Sequence, residues 1–280
     1  MEFEKLSQEE INHYHLSPVG KYTVRDVQNK IFILLSLFDK ICRENHLSYI
    51  LDSGTMLGAI RNQGFIPWDD DADVAMLRKD YQKFVKLCKK GCLPEGIVFE
   101  DYHNCKEHPY NFGKIIMSGT TYEEPVFSSL NTNKGLWLDV FPIDNTTTAT
   151  YKIQGKIAYF WRVVRSAKTH KTKISSRPKW IFSICSFFPY SFINFQADFA
   201  MRFFDWFKTK NVCKLCHPGK GKVPHSRQFY LNLREIPFES SLFFIPSHYE
   251  EWLRQRYSNP YKLPDEQNRK PEHVGGKVAL

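Results

Sequence analysis

The chain has 280 residues, enough to bury a sizeable core as one large domain or as one domain with an elaborated half. Hydrophobic residues make up 42% and aromatics 15%, which excludes a disordered chain. The formal charge of +9 points to an anionic partner such as nucleic acid, nucleotide, phospholipid or phosphorylated glycan, without choosing among them. Seven cysteines lack the even spacing of a disulfide scaffold, and the opening MEFEKLSQEE has no apolar signal-peptide core. A reducing cytoplasm is therefore expected.

Val24, Val27, Ile31, Leu34, Phe38 and Ile41 recur at steps of three and four, predicting a helix from Thr23 to about Asn45 with Thr23 and Asp26 as a capping pair. Ser48 to Leu51 reads as a short buried strand that ends in the turn Asp52-Ser53-Gly54. Thr55 to Arg61 follows as a short helix, Ala72 to Met76 as a strand, and Lys79 to Lys90 as a helix closed by Gly91. Further strands are predicted at Ile97 to Tyr102, Phe112 to Met117 and Leu136 to Phe141. From about Tyr151 the composition turns helical, aromatic and basic, with seven Lys or Arg and no acid between Arg162 and Lys179. The run Trp180 to Phe195 is too short and too interrupted to span a membrane. A buried helix pair and an amphipathic element resting on an anionic membrane are both open readings of it. Ser247-His248-Tyr249-Glu250 reads as a capping box that starts the last helix. The final twenty residues read as a polar, Pro-rich surface segment.

The chemistry concentrates in Leu51 to Met76, LDSGTMLGAIRNQGFIPWDDDADVAM, where four of five residues are Asp69, Asp70, Asp71 and Asp73. At an effective dielectric of about 20, two like charges roughly 5 Å apart cost about 3 kcal/mol. Such a cluster persists if it is fully solvated or if it holds a cation, and the flanking Trp68 and Val74-Ala75-Met76 favour the cation. On a strand, Asp71 and Asp73 share a face about 6.6 Å apart, and Asp69 joins them if the strand begins early. Asp139 stands alone inside the apolar run GLWLDVFPID, a costly position for an unpartnered carboxylate, and is the natural third ligand. Oxygen ligands of this kind suit Mg²⁺ or Mn²⁺, which also hold diphosphates. The Ser53-Gly54-Thr55 turn opens a helix and offers amides and hydroxyls to phosphate oxygens, with Arg61 and Lys114 as additional positive charge. Lys114 reads equally as a snorkelling lysine and Arg61 as the partner of one of the aspartates. An EF-hand is excluded because Val74 stands where its loop needs glycine. Cys213-x-x-Cys216-His217 fits either a structural zinc site or a turn beside Pro218-Gly219.

Leu51 through Asp80-Tyr81 to Phe84 resembles the signature of the LicD family, relatives of the fukutin-type transferases. Lys134 to Asp144 resembles a second family block, Lys114-Ile-Ile with Thr120-Thr-Tyr122 a weaker third, and Ile245-Pro246 through Arg256-Tyr257 to Leu263-Pro264 the closing one. The resemblance implies an α+β (mixed), nucleotidyltransferase-like fold, a small mixed sheet flanked by helices, with a helical, aromatic-rich C-terminal half. Residues 1–145 would form the catalytic core, and 146–280 an acceptor-side, membrane-proximal region packed on it. It further implies transfer of a phospho-substituent, above all phosphocholine, from a CDP-linked donor (CDP-choline or a CDP-polyol) to a hydroxyl of a glycan or lipid-linked glycan. On that reading Asp71 and Asp73 hold the metal, Asp139 completes the site or acts as general base, and Ser53, Gly54 and Thr55 cradle the diphosphate. Peripheral contact with the inner face of the membrane is expected. No motif that reads DNA or RNA accompanies the basic residues, so no nucleic-acid partner is expected. A true nucleotidyltransferase that moves a nucleotide from an NTP is one rival, and a noncatalytic glycan- or nucleotide-binding module another. Residues 146–227 carry no recognisable block.

Overall fold

A computed structural model describes residues 3–168, 187–217, 223–273 and 275–280. Helix α1 (Gln8–His15) and the hairpin of β1 (Pro18–Val19) and β2 (Tyr22–Thr23) lead into α2 (Val24–Glu44). The apolar stripe predicted for α2 is its buried face. Its start is fixed reciprocally, the Thr23 hydroxyl accepting from the Asp26 amide while the Asp26 carboxylate accepts from the Thr23 amide.

Strand β3 (Ile50–Leu51) is followed by α3 (Ser53–Asn62), β4 (Asp73–Leu77), α4 (Arg78–Lys89), β5 (Ile97–Glu100), β6 (Gly113–Met117), β7 (Thr121–Tyr122) and β8 (Leu136–Thr146). The sheet is mixed: β4 and β8 run parallel, while β3 on β4, β6 on β8 and β5 on β6 are antiparallel. Strand β8 is its spine, longer than the sequence suggests, with ten of its eleven residues buried. That explains the near-continuous apolar run, because a strand covered on both faces loses the alternation of a half-exposed one.

Helices α5 (Tyr151–Lys168) and α6 (Tyr190–Arg202) pack on each other beside the sheet. The remaining chain adds strand as well as helix. Strand β9 (Asn211–Cys213) pairs with the end of β8 and with β10 (His225–Ser226), and β11 (Leu233–Phe238) and β12 (Ser241–Pro246) form a hairpin. Of the run Trp180 to Phe195, residues 180–186 lie outside those described. Within the rest, Phe187 is exposed while Ile193 is buried. Among the described residues no helix is long and apolar enough to cross a membrane.

One expectation for the C-terminal end is corrected and the other sharpened. Helix α7 (Tyr249–Arg256) starts at His248 with no side-chain cap, because the Ser247 amide donates to Asn232 instead. The last twenty residues lie on the surface as expected, none of those described being buried, and they are anchored there. Strand β13 (Val278–Ala279) pairs with β7, and the amides of Glu272 and His273 donate to the Asp70 carboxylate.

Candidate active site

The site begins as a row across the sheet. Parallel register sets Asp73 opposite Asp139, and antiparallel register on the other edge of β8 sets Lys114 opposite the same Asp139. The start of β4 is pinned from the turn after β3: the Asp73 amide donates to the Thr55 hydroxyl at 2.8 Å, and the Asp52 amide to the Asp73 carbonyl at 2.9 Å. The turn Ser53-Gly54-Thr55 therefore lies beside the carboxylates. Ser53 adopts a φ of 49°, a left-handed conformation that non-glycine residues seldom hold. A Cβ on Gly54 would stand 2.7 Å from an oxygen of Asp69, so only glycine lets that carboxylate approach the N-terminus of α3.

The four clustered aspartates have different surroundings. Asp70 accepts from Tyr122 at 2.5 Å and from two amides of the C-terminal tail, which ties it to structure. Asp71 faces His273 at 3.2 Å, and the other nitrogen of that ring lies 3.4 Å from Glu124. Burial opposes charge on His273, but the hydrogen bonds to Asp71 and Glu124 outweigh it and raise its pKa to about 11. Burial and then the charge of Asp71 push the carboxyls of Asp69 and Asp73 well above the usual range. Burial also lifts Asp139, to about 6, against the pull of Lys114 and with repulsion from Asp71. Its Oδ1 is buried without a hydrogen bond, although the Lys114 ammonium is 3.4 Å away.

Lys114 pairs with Asp139 and, at 3.6 Å, with Glu124. Its ammonium lies 3.8 Å from the centre of the Trp137 ring and 4.9 Å from that of Tyr110. Arg61 is not brought to the cluster. Its guanidinium donates to the carbonyls of Pro260 at 2.7 Å and Lys262 at 3.1 Å, because α3 carries it two turns away from the Ser53 end.

Lys214, Arg256, Glu124 and His273 were not read from the sequence. Lys214 and Arg256 both bind Asp52, whose carboxyl they hold below the usual range although burial works against its charge. Lys214 also reaches the Ser53 hydroxyl at 3.4 Å and lies over Phe141. Only Arg256 had a signal, since it falls in the closing block. Lys214 sits inside the Cys213-x-x-Cys216 spacing that had suggested a metal. Cys213 and Cys216 are buried, their sulfurs turned to the carbonyls of Val223 and Pro142, and the His217 ring packs on Phe112 and Phe141.

Among the described residues no three His, Cys, Asp or Glu side chains are gathered to hold a metal alone. Cys213, Cys216 and His217 do not form such a group among the described residues, and a structural zinc would need its whole cage from the protein. Mg²⁺ takes one or two carboxylates and completes its shell with water and substrate phosphates. The mutually repelling Asp71 and Asp73, with the unbonded Oδ1 of Asp139, fit that demand.

Residues 46–202, more than half of the chain, match the family described as LicD/FKTN/FKRP, nucleotidyltransferase domain. The match takes in the carboxylate row and stops before Lys214, Arg256 and His273. The chain is similar to the lipopolysaccharide cholinephosphotransferase LicD of Haemophilus influenzae, 29% identical over 278 residues that span 91% of this chain and 97% of that protein. An uncharacterized protein of Rickettsia prowazekii is 30% identical over 115 residues, 34% of this chain and 41% of its own. Family match and carboxylate-bearing mixed sheet agree: the chain belongs to the LicD family.

Proposed function

We propose that the protein is a transferase of phosphorus-containing groups that moves phosphocholine from a CDP-activated donor to a hydroxyl of a cell-surface glycan, lipopolysaccharide in the first instance. The observation that carries this reading is the half-buried surplus of carboxylates at the Asp73–Asp139 row. That surplus suits a cation brought together with a diphosphate. Asp71 and Asp73, with or without Asp139, would hold Mg²⁺ or Mn²⁺, which supplies positive charge to the diphosphate.

The protein's own groups have distinct tasks. The amides of Gly54 and Thr55 at the start of α3 and the ammonium of Lys214 beside Ser53 offer donors to phosphate oxygens. The acceptor oxygen attacks the choline-side phosphorus, the bond from that phosphorus to the bridging oxygen breaks, and CMP leaves. With a pKa near 6, Asp139 is ionised at neutral pH and suited to orient or deprotonate that hydroxyl if it is not a ligand. Trp137 and Tyr110, with Glu124 beside them, already hold an ammonium group, that of Lys114. An aromatic pair with a carboxylate suits a trimethylammonium headgroup and gives nothing comparable to a polyol, which favours choline. The reading carries with it a cytoplasmic setting at the inner face of the membrane.

A donor screen tests this. CDP-choline, CDP-ethanolamine, CDP-glycerol, CDP-ribitol and CTP are each supplied with lipopolysaccharide as acceptor and with Mg²⁺ or Mn²⁺, and CMP and pyrophosphate release are followed. CMP released far faster from CDP-choline than from the other donors, and only with the cation, is the expected result. Pyrophosphate from CTP would replace this reading with nucleotide transfer, which the nucleotidyltransferase family match keeps in view.

A further inference from the structure

Five aromatic side chains of the C-terminal half share one outward face. Helix α6 exposes Phe195 and Phe199 by 61% and 54%, its C-cap residue Phe203 is 53% exposed, and the turn after it adds Trp206 at 92% and Phe207 at 65%. A spacing of four places the three phenylalanines on one side of the helix. Their rings meet in series, with centroids 6.2 Å apart from Phe195 to Phe199 and 5.6 Å from Phe199 to Phe203. The core takes the opposite side of α6, where Ile193, Ala197, Ala200 and Met201 are buried. A helix apolar on both sides has a second apolar medium to meet, and a contiguous exposed patch of this kind marks an interaction surface.

The stripe forms one wall of a groove of ≈ 820 Å³, whose other wall is the first half of α4. Of the basic side chains that line the groove, Arg78 is held by Asp144, Lys83 by Asp80 and Arg202 by Asp205, which leaves Lys79 and Lys208 exposed at its rim as surplus positive charge. The groove also touches Leu77 and Ile143, each four residues beyond the Asp73–Asp139 pair, about 13 Å along the strands. The aromatic face is thus separate from the carboxylate row.

We propose that this face docks the protein on an anionic phospholipid bilayer, with Phe199, Phe203 and Trp206 in the interfacial zone and the rim lysines at the headgroups. Phe and Trp rings prefer the boundary between acyl chains and headgroups, and the positive rim with the chain's charge of +9 complements an anionic surface. Docking of this kind does not depend on which donor the enzyme uses.

Co-sedimentation of the full chain with vesicles tests it. Phosphatidylcholine vesicles are compared with vesicles that also contain phosphatidylglycerol, at low and high salt. Binding to the anionic vesicles, weakened by salt, is expected. Phe199→Ser combined with Trp206→Ser should lower partitioning at least about tenfold, and Lys208→Gln about fivefold, with unfolding temperatures unchanged because the side chains are exposed. Wild-type protein that ignores anionic vesicles, or a double variant that binds them as tightly, overturns the assignment. So does a dimer in sedimentation velocity that the double variant dissolves while vesicles bind neither protein, since the face would then join two copies of the chain.

Discussion

Strands β4 and β8 end in two charge clusters, one buried and one half-buried, that are handled in opposite ways. Past the far end of β4, Arg78 donates through Nε and one terminal nitrogen to both oxygens of Asp144, at 2.6 and 2.8 Å, and both side chains are buried. One cation meets one anion in a two-bond geometry, and nothing further is required. At the near end, Asp69, Asp71, Asp73 and Asp139 crowd together, and Lys114 and His273 offset only part of their charge. A third group sharpens the contrast, since Asp52, just behind the cluster, is fully answered by Lys214 and Arg256. The chain can balance buried carboxylates and does so twice within reach of the same strands. Where it leaves a surplus, the missing charge is best sought in what binds there.

Neutralising one carboxylate at each end would break or uphold that contrast. Asp73→Asn relieves repulsion, so the unfolding midpoint should hold or rise, while kcat/KM for the donor falls by about 10³ or more, about 4 kcal/mol. Retained activity would leave the surplus without a function. Asp144→Ala strands the Arg78 guanidinium in the core and should cost about 3–5 kcal/mol in denaturant titration, with little change in activity per folded molecule. Like phenotypes from the two variants would mean that both ends are scaffolding.

How much of this was legible follows from where the information lies. The apolar stripe of α2 and its Thr23–Asp26 cap are local, and local periodicity reveals them. Asp71 and Asp73 were visible as a charge anomaly within a few residues, and Asp139 as the acid inside the predicted apolar strand Leu136 to Phe141. Lys214, Arg256 and His273 reach the site from 161, 204 and 202 residues away along the chain from Ser53, Asp52 and Asp71. A lysine between two cysteines and a histidine in a polar tail carry no sign of such destinations, which tertiary packing alone decides. Arg61 misled in the opposite direction. It is close to the aspartates in sequence, but α3 turns it toward Pro260 and Lys262. Asp70, given no ligand role from the sequence, is spent on Tyr122 and the tail.

Acid titration gives a third measure of the contrast, of intermediate size. His225 on β10 is buried, and burial, then the charge of Arg256, lowers its pKa to about 4. The unfolded chain begins to protonate this histidine near its ordinary value of 6.5, whereas the folded chain waits until about 4. The unfolded state therefore binds more protons in that window, and stability falls as pH drops from about 6.5 to about 4, by about 3 kcal/mol from this residue. In His225→Gln the window should flatten. Comparing denaturant midpoints of the two proteins at several pH values cancels the titration of the carboxylates, which is common to both. An unchanged slope would show that His225 does not control this acid limb.

The smallest expected effect concerns the aromatic edge of the carboxylate end. Trp137 and Tyr110 hold the Lys114 ammonium between them, and the same rings are the proposed seat of the choline headgroup. Replacing Trp137 with leucine keeps an apolar side chain and removes the larger π face, worth about 0.5–2 kcal/mol to a cation. KM for CDP-choline should then rise between about twofold and thirtyfold, while that for CDP-glycerol, which carries no cation to lose, stays within about twofold. The ratio between two donors on one variant is insensitive to the fraction of protein that folds. If both KM values rise together, the ring acts by positioning Lys114 against Asp139 and Glu124, and the specificity for choline must come from another part of the site.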